Sequence, residues 1–410
     1  MWYSPPQYYL NNNSNIFIDK MVREKLTEGR IIGVLNNPGK RGLDAYRERA
    51  GIATRRGMIL VDIEKNPENL ERMKKENLLF CRYFKKGALI EAECKVPRVV
   101  YDRVDMLSPS RANAEALIKE FVERKVLFVN NPQFRGVCSD KWKTYLLFNQ
   151  NKLPIPECML YTKENLTEML MKYNFLFVKK RVSSQGNNQF TIRNDGNDFI
   201  IKYRNALGAV SNHNSKGLEE MFKIFSSNNI GEDYIIQKGI DVDKIDERKY
   251  DIRTIFQRGK TGRISLTAWY LRLAALNSDQ SNIGSGGEPH DPEVIIKDYS
   301  SLKERISSLG KKTIKALSTA YVIGEVGLDM VVGRDGEIYE LEANSKPGTK
   351  GPRDLTEKIT EEIKDKDKDK NQINPHFVYK NADRIKWASN VKNMIERPIL
   401  YARYLHDSSA

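Results

Sequence analysis

The chain has 410 residues, 40% hydrophobic and 30% charged, with a formal net charge of +14. That length allows two or three domains with a well-buried core, and no apolar run approaches a membrane span. The four cysteines and four histidines are scattered, with no C-x-x-C or H-E-x-x-H spacing, which argues against zinc and against a disulfide framework. The start, "MWYSPPQYYLNNNSNIF", has neither the basic beginning nor the apolar stretch of a signal peptide, so a cytoplasmic protein is expected. A basic surplus invites a nucleic-acid reading. The charges are interspersed, however, and no nucleic-acid motif is visible. A mixed solvated surface, or attraction of an anionic substrate or nucleotide, is expected instead, with no nucleic-acid partner and no membrane.

Residues 1–15 are polar and Asn-rich, a flexible N-terminus. Residues 16–136 read as an α/β domain, with strands at 31–35, 57–63, 98–103 and 126–132 and a helix over 110–125 capped by Ser110. A short helix over 139–153, capped by Ser139, stops at "PIP". Strands follow at 175–180 and 189–193 around the polar loop "RVSSQGNN" (181–188). Residues 197–216 carry no assignment, 217–228 read as a helix, and 233–240 read as a strand. A hairpin over 250–257 and 263–275, the loop "SNIGSGGEPHDP" and a helix over 301–321 complete the middle of the chain. The charge-alternating "KDKDKDK" at 364–370 reads as a linker or a solvated helix surface, and 381–405 as an amphipathic terminal helix.

The stretch "VGLDMVVGRDGEIYELEANSKPG" (326–348) is the most informative. Asp335-Gly336 between two alternating runs predicts a two-residue type I′ turn, which sets Asp329 directly opposite Glu342. Alternation then puts Ile338, Glu340, Glu342 and Asn344 on the face of Asp329, and Leu328, Met330, Val332, Tyr339, Leu341 and Ala343 on a core face. Opposed carboxylates raise each other's pKa unless a cation sits between them. An Asp, a Glu and an Asn oxygen form a hard set suited to Mg²⁺, while a solvated acidic face explains this stretch alone equally well.

Other features are individually weak. A strand ends in Lys179-Lys180 beneath a Ser/Gly loop, an anion-binding arrangement. "IIQKGI" offers main-chain groups to a ligand, and "YDIR" and "YLRL" place Asp251, Arg253 and Arg272 on strands. In this order they resemble the ATP-grasp superfamily over 139–350, and within it the endospore coat-associated YheC/YheD branch. "KLPIPECMLYT", "DYIIQKGIDVDKIDERKYDIR" and "YELEANSKPG" carry that impression. The expected fold is α/β (α+β lobes): a pre-ATP-grasp domain at 16–136, an N-terminal lobe at 137–235, a C-terminal lobe at 236–350, and a charged linker with a terminal helix at 351–410.

The resemblance implies ATP between the lobes. Lys141, Lys179, Ser184 and Gly186 would face its phosphates, Gln237, Lys238 and Ile240 would form the adenine hinge, and Asp251 would contact the nucleotide. Asp329, Glu342 and Asn344 match the Mg²⁺ ligands, with Glu340 left as outer support or solvent-facing. The implied chemistry is carboxylate phosphorylation followed by amine attack, forming a C–N bond. Arg272 and the backbone near Asn282 would stabilise the transferring group, and Arg253 would hold a substrate carboxylate. Three departures bear on turnover: a single flap glycine, Lys180 where a proline is frequent, and no basic residue before the glycine pair of "NIGSGG". A nucleotide-binding spore-coat or scaffold protein without turnover and an ATP-grasp kinase stay as alternatives. The substrates are not named by the sequence, and a homodimer is the simplest assembly.

Overall fold

The computed structural model describes residues 23–105, 108–183, 186–196, 198–276, 278, 280–366 and 380–409. The N-terminal stretch 1–15, Ser184 and the end of the charge-alternating run lie outside the described residues.

Three sheets organise the chain. The first has seven strands in the order Glu24–Leu26, Ala88–Lys95, Leu78–Lys85, Ile59–Ile63, Ile31–Leu35, Val99–Asp102, Leu127–Phe128. Its centre is parallel, and such strands, covered on both faces, read as nearly unbroken apolar runs. Helices Pro67–Glu76 and Arg111–Glu123 cover one face with Met73, Leu117 and Phe121. Helix Lys40–Arg55 covers the other with Tyr46, Ala50 and Ala53, joined there by Ile395 and Ile399 from the terminal helix Asn381–Ser408.

The second sheet has six strands in the order Val210–Ser215, Phe199–Arg204, Gln189–Asn194, Phe175–Lys180, Tyr234–Lys238, Cys158–Leu160. Helices Lys163–Lys172 and Leu218–Ser227 pack on it through Leu166, Met169, Met221 and Phe225. The hairpin Phe199–Arg204/Val210–Ser215 falls in the stretch 197–216, for which no element was expected. Its outer strand is largely exposed, so it lacks the apolar alternation that marks a half-buried strand.

The third sheet runs Glu288–His290, Ile264–Leu273, Arg248–Arg258, Glu325–Val332, Ile338–Asn344, with Lys244–Ile245 paired beside Arg248–Arg258. Helix Tyr299–Leu317 packs on one face with Ile306, Ile314 and Leu317. Helix Lys350–Lys366 covers part of the other with Leu355 and Ile359, against Ile255, Tyr270 and Trp387. That helix begins where the sequence suggested a charged linker; its two buried apolar residues, four apart, share one stripe.

The terminal helix thus joins the first and third sheets. Pro398 lies inside it and has no N–H to give the carbonyl of Met394. The buried Gln257 side chain takes that place, its Nε2 donating to Met394 O at 2.8 Å. Glu325, also reached by Gln257 Nε2 at 3.1 Å, accepts from Arg103 at 2.7 Å and Tyr101 at 2.8 Å in the first sheet. One buried network therefore ties all three pieces together.

Candidate active site

The last hairpin differs from its sequence reading in two compensating ways. The turn has three residues, Arg334 to Gly336, closed by Gly333 N donating to Glu337 O at 2.9 Å. Gly336 has φ 78°, the left-handed conformation that a three-residue loop needs at its last position. The register near the turn therefore pairs Met330 with Glu340 and Val332 with Ile338. A bulge at Leu341 then adds one residue and restores Asp329 opposite Glu342 and Gly327 opposite Asn344. The triad shares one face, as expected, but Ile338 and Glu340 do not join it. They turn into the core with Leu328 and Met330, while Tyr339 and Leu341 are only half-buried.

Glu340 is accordingly fully buried, not outer support or solvent-facing. Its Oε1 meets Thr313 Oγ1 at 2.6 Å, and that hydroxyl also reaches Leu309 O at 3.0 Å. A hydroxyl has one proton, and the carbonyl can only accept. Both bonds form together when Glu340 is the protonated donor to Thr313. Burial pushes its carboxyl up to about 8, in the same direction.

On the other face the charges form an alternating chain. Arg272 forks onto Asp251 through two bonds of 2.6 Å and reaches Asp329 at 3.0 Å. Arg253 forks onto Asp329, its Nη2 at 2.8 Å from Oδ2 and its Nε on Oδ1. Burial pushes the Asp329 carboxyl up, but Arg253 and Arg272 outweigh it and hold the group well below the usual carboxylate range. Burial and then the Asp329 charge push Glu342 up, with Lys141 opposing. The two opposed carboxyls are thereby pushed in opposite directions, Asp329 down and Glu342 up.

The other wall of the cleft comes from the second sheet and the helix Lys141–Gln150. That helix is capped by Asp140, not Ser139: Asp140 Oδ1 accepts from Trp142 N at 3.0 Å, and Oδ2 holds Arg181 at 2.7 Å. Lys141 Nζ donates to Ser183 O and Oγ, both at 3.0 Å. Lys179 Nζ donates to Gln237 Oε1 at 2.8 Å. Burial and then Lys141 pull the Lys179 amine down to about 8, while Glu342 opposes. The two lysines and Glu342 are therefore electrostatic neighbours across the cleft.

Some expected residues converge less directly. The Lys238 side chain lies over the Tyr173 ring at 5.1 Å, and its N–H donates to Glu157 O at 2.9 Å. Ile240 and Asn282 are half-buried. Asn282 O accepts from Ser285 N at 2.8 Å and Gly287 N at 3.0 Å, which closes the loop into a tight turn. Gly186 in the flap has φ 64° and lies against Gln280, where an added Cβ would fall 2.1 Å from Oε1.

Several residues were not assigned from the sequence. Gln280 Nε2 donates to Gly186 O at 2.8 Å and so joins the flap to the third sheet's loop. Ser281 Oγ donates to Asp251 Oδ2 at 2.5 Å. Lys346, two residues beyond Asn344, reaches Asp102 at 2.8 Å and Val104 O at 2.7 Å in the first sheet. Only its place in "SKPG" beside the triad could have signalled it.

The donor set suits a hard divalent cation. Among the described residues no group of three or more His, Cys, Asp or Glu could hold a metal; this set has two carboxylates and one amide. Two carboxylates opposed across a strand pair repel each other unless a cation sits between them. Few protein oxygens suffice for Mg²⁺ when phosphates and water complete the shell. Asn344 Oδ1 also accepts from Lys346 N at 2.9 Å, which fixes the amide's orientation.

A family model described as YheC/D-like ATP-grasp matches residues 130–366, more than half of the chain. The endospore coat-associated protein YheD of Bacillus subtilis (strain 168) is 22% identical over 267 residues, covering 62% of this chain and 57% of YheD. The endospore coat-associated protein YheC of the same organism is 21% identical over 278 residues, covering 63% of this chain and 73% of YheC. The chain thus spans little more than half the length of YheD. Among solved structures, the ADP complex of purK, an N5-carboxyaminoimidazole ribonucleotide synthetase, superposes with a TM-score of 0.51 at 14% identity, over 80% of this chain and 73% of that one. Among the described residues no helix is long and apolar enough to cross a membrane.

Proposed function

The chain belongs to the YheC/D-like ATP-grasp family, and from that premise we propose that it is an ATP- and Mg²⁺-dependent carboxylate–amine ligase. The observation that supports this reading is the convergence of Lys141, Lys179, Arg272 and the Asp329/Glu342 pair on one cleft between two sheets.

In this reading the nucleotide lies between the second and third sheets, with its base at the main chain of Gln237, Lys238 and Ile240. Lys141 and Lys179 take its phosphates, and the loop holding Gly186 excludes water. Asp329, Glu342 and Asn344 hold Mg²⁺, which when bound screens the phosphate charge and aligns the transfer. The substrate carboxylate attacks the γ-phosphoryl group and ADP leaves. An amine then attacks the acyl phosphate, and phosphate leaves with formation of the C–N bond. Arg272 and the backbone N–H groups of the turn after Asn282 meet the developing negative charge. No side-chain nucleophile is needed. Association with the spore coat is carried over as a proposal from the names of YheD and YheC.

The experiment is calorimetric titration of ATP with and without Mg²⁺, followed by product analysis with acid–amine pairs. Mg²⁺-dependent binding and release of ADP, phosphate and an amide support the ligase. ADP with a phosphoester indicates a kinase, and binding without turnover indicates a nucleotide-binding coat or scaffold protein. Absence of ATP binding overturns the reading.

A further inference from the structure

Asp329 would have to serve a metal ion, yet both of its oxygens are already engaged. Oδ1 accepts from Arg253 Nε, and Oδ2 accepts from Arg253 Nη2 at 2.8 Å and is reached by Arg272 Nη2 at 3.0 Å. A cation drawn to this carboxylate competes for the same lone pairs and repels both guanidinium groups.

The two arginines are not equally held. Arg272 forks onto Asp251 with both bonds at 2.6 Å, and Asp251 is tied in turn to Ser281. Arg272 can give up its contact with Asp329 and keep a full fork. Arg253 has no second ion pair among the described residues, and Glu342, the other acid that feels its charge, belongs to the same metal set. It is 9% exposed and always charged, so once displaced it needs another anion close by. A planar guanidinium fork fits a two-oxygen anion bidentately.

We infer that Arg253 is a metal-released clamp: Mg²⁺ taking Asp329 frees its guanidinium, which then receives the substrate carboxylate, so that metal and nucleotide bind before the acid. The inference rests on the ATP–metal reading above. It adds an order of binding and a reason for the metal-free ion pair, which holds the clamp closed until the phosphate donor is in place. Premature binding of the acid is thereby disfavoured.

The test is Mn²⁺ binding, followed by the loss of the free-ion paramagnetic resonance signal, with a non-hydrolysable ATP analogue present. Wild type, Arg253→Met and Arg253→Lys are compared, with folding checked by circular dichroism. Removing the competitor should tighten Mn²⁺ binding about tenfold in Arg253→Met, the size of a 1.4 kcal/mol difference. Arg253→Lys, which keeps the charge without the fork, should fall between. Unchanged or weaker binding in a folded Met variant, with tight wild-type binding, overturns the inference alone. Failure of wild type to bind Mn²⁺ overturns the ATP–metal reading and the clamp with it. If the variants do not fold, a wild-type structure with Mn²⁺ and the analogue decides. Arg253 more than 4 Å from both Asp329 oxygens supports the clamp, and a retained fork overturns it.

Discussion

Glu340 and Glu342 stand two residues apart on one strand and meet opposite fates. Glu340 is sealed in the core against Thr313, whereas Glu342 faces the cleft opposite Asp329. On a regular strand they would share a face. The bulge at Leu341 separates them, and the three-residue turn supplies the register that makes the bulge necessary. One acid is thereby stored neutral in apolar surroundings, while the other stands opposite a second acid. Like charges opposed across a strand pair are a liability unless something binds between them, so only the Glu342 side has the chemistry of a site.

The sharpest division between the two would come from Glu342→Ala. Loss of even an outer partner of a metal ligand costs 10–100-fold in affinity, so loss of the ligand itself should cost more than about 100-fold in Mg²⁺-dependent ATP binding by calorimetry. The fold should survive, because Asp329 keeps both arginines. Glu340→Gln should do the reverse and leave ATP affinity unchanged. The folded chain keeps a Glu340 proton up to about pH 8, whereas the unfolded chain releases it near its ordinary pKa of about 4.3. Wild-type stability from this group is therefore lost as pH rises between those values. Denaturant unfolding should show a fall of about 2 kcal/mol from pH 6 to 7.5, absent from the Gln variant.

A smaller effect is expected from Thr313→Val. It removes the hydroxyl between Glu340 and Leu309 O and should cost about 1.5 kcal/mol of unfolding free energy, with nucleotide affinity unmoved. Smallest of all, Gln280→Ala removes one neutral bond to the flap at Gly186. About 1 kcal/mol corresponds to roughly fivefold faster nucleotide release by stopped flow, with stability unaffected. If Glu340→Gln weakened ATP binding as Glu342→Ala does, the separation of the two faces would collapse.

Much of this protein could be read from local sequence. The strands at 31–35, 175–180 and 250–257, and the helices at 217–228 and 301–321, follow from apolar periodicity, which depends only on which neighbours face inward. The placement of Asp329, Glu342 and Asn344 on one face also followed from alternation, although the route to it did not: a wrong turn length and an unseen bulge cancelled. The outer strand Val210–Ser215 and the helix Lys350–Lys366 were not readable, because the first is largely exposed and lacks apolar alternation and the second shows its stripe only within a strongly charged segment.

The sequence by itself determined the type of most elements and put forward the carboxylate–amide set and the lysines as candidates, since each is encoded by residue type and short-range spacing. Only the tertiary structure decided that Glu340 is core, that Arg253 is spent on Asp329, and that Gln280 joins the flap to the third sheet. It also decided that Lys346 and Arg103 bind the first sheet to the cleft. Each of these pairs residues distant along the chain or depends on a one-residue change of register, and local periodicity carries no information about either.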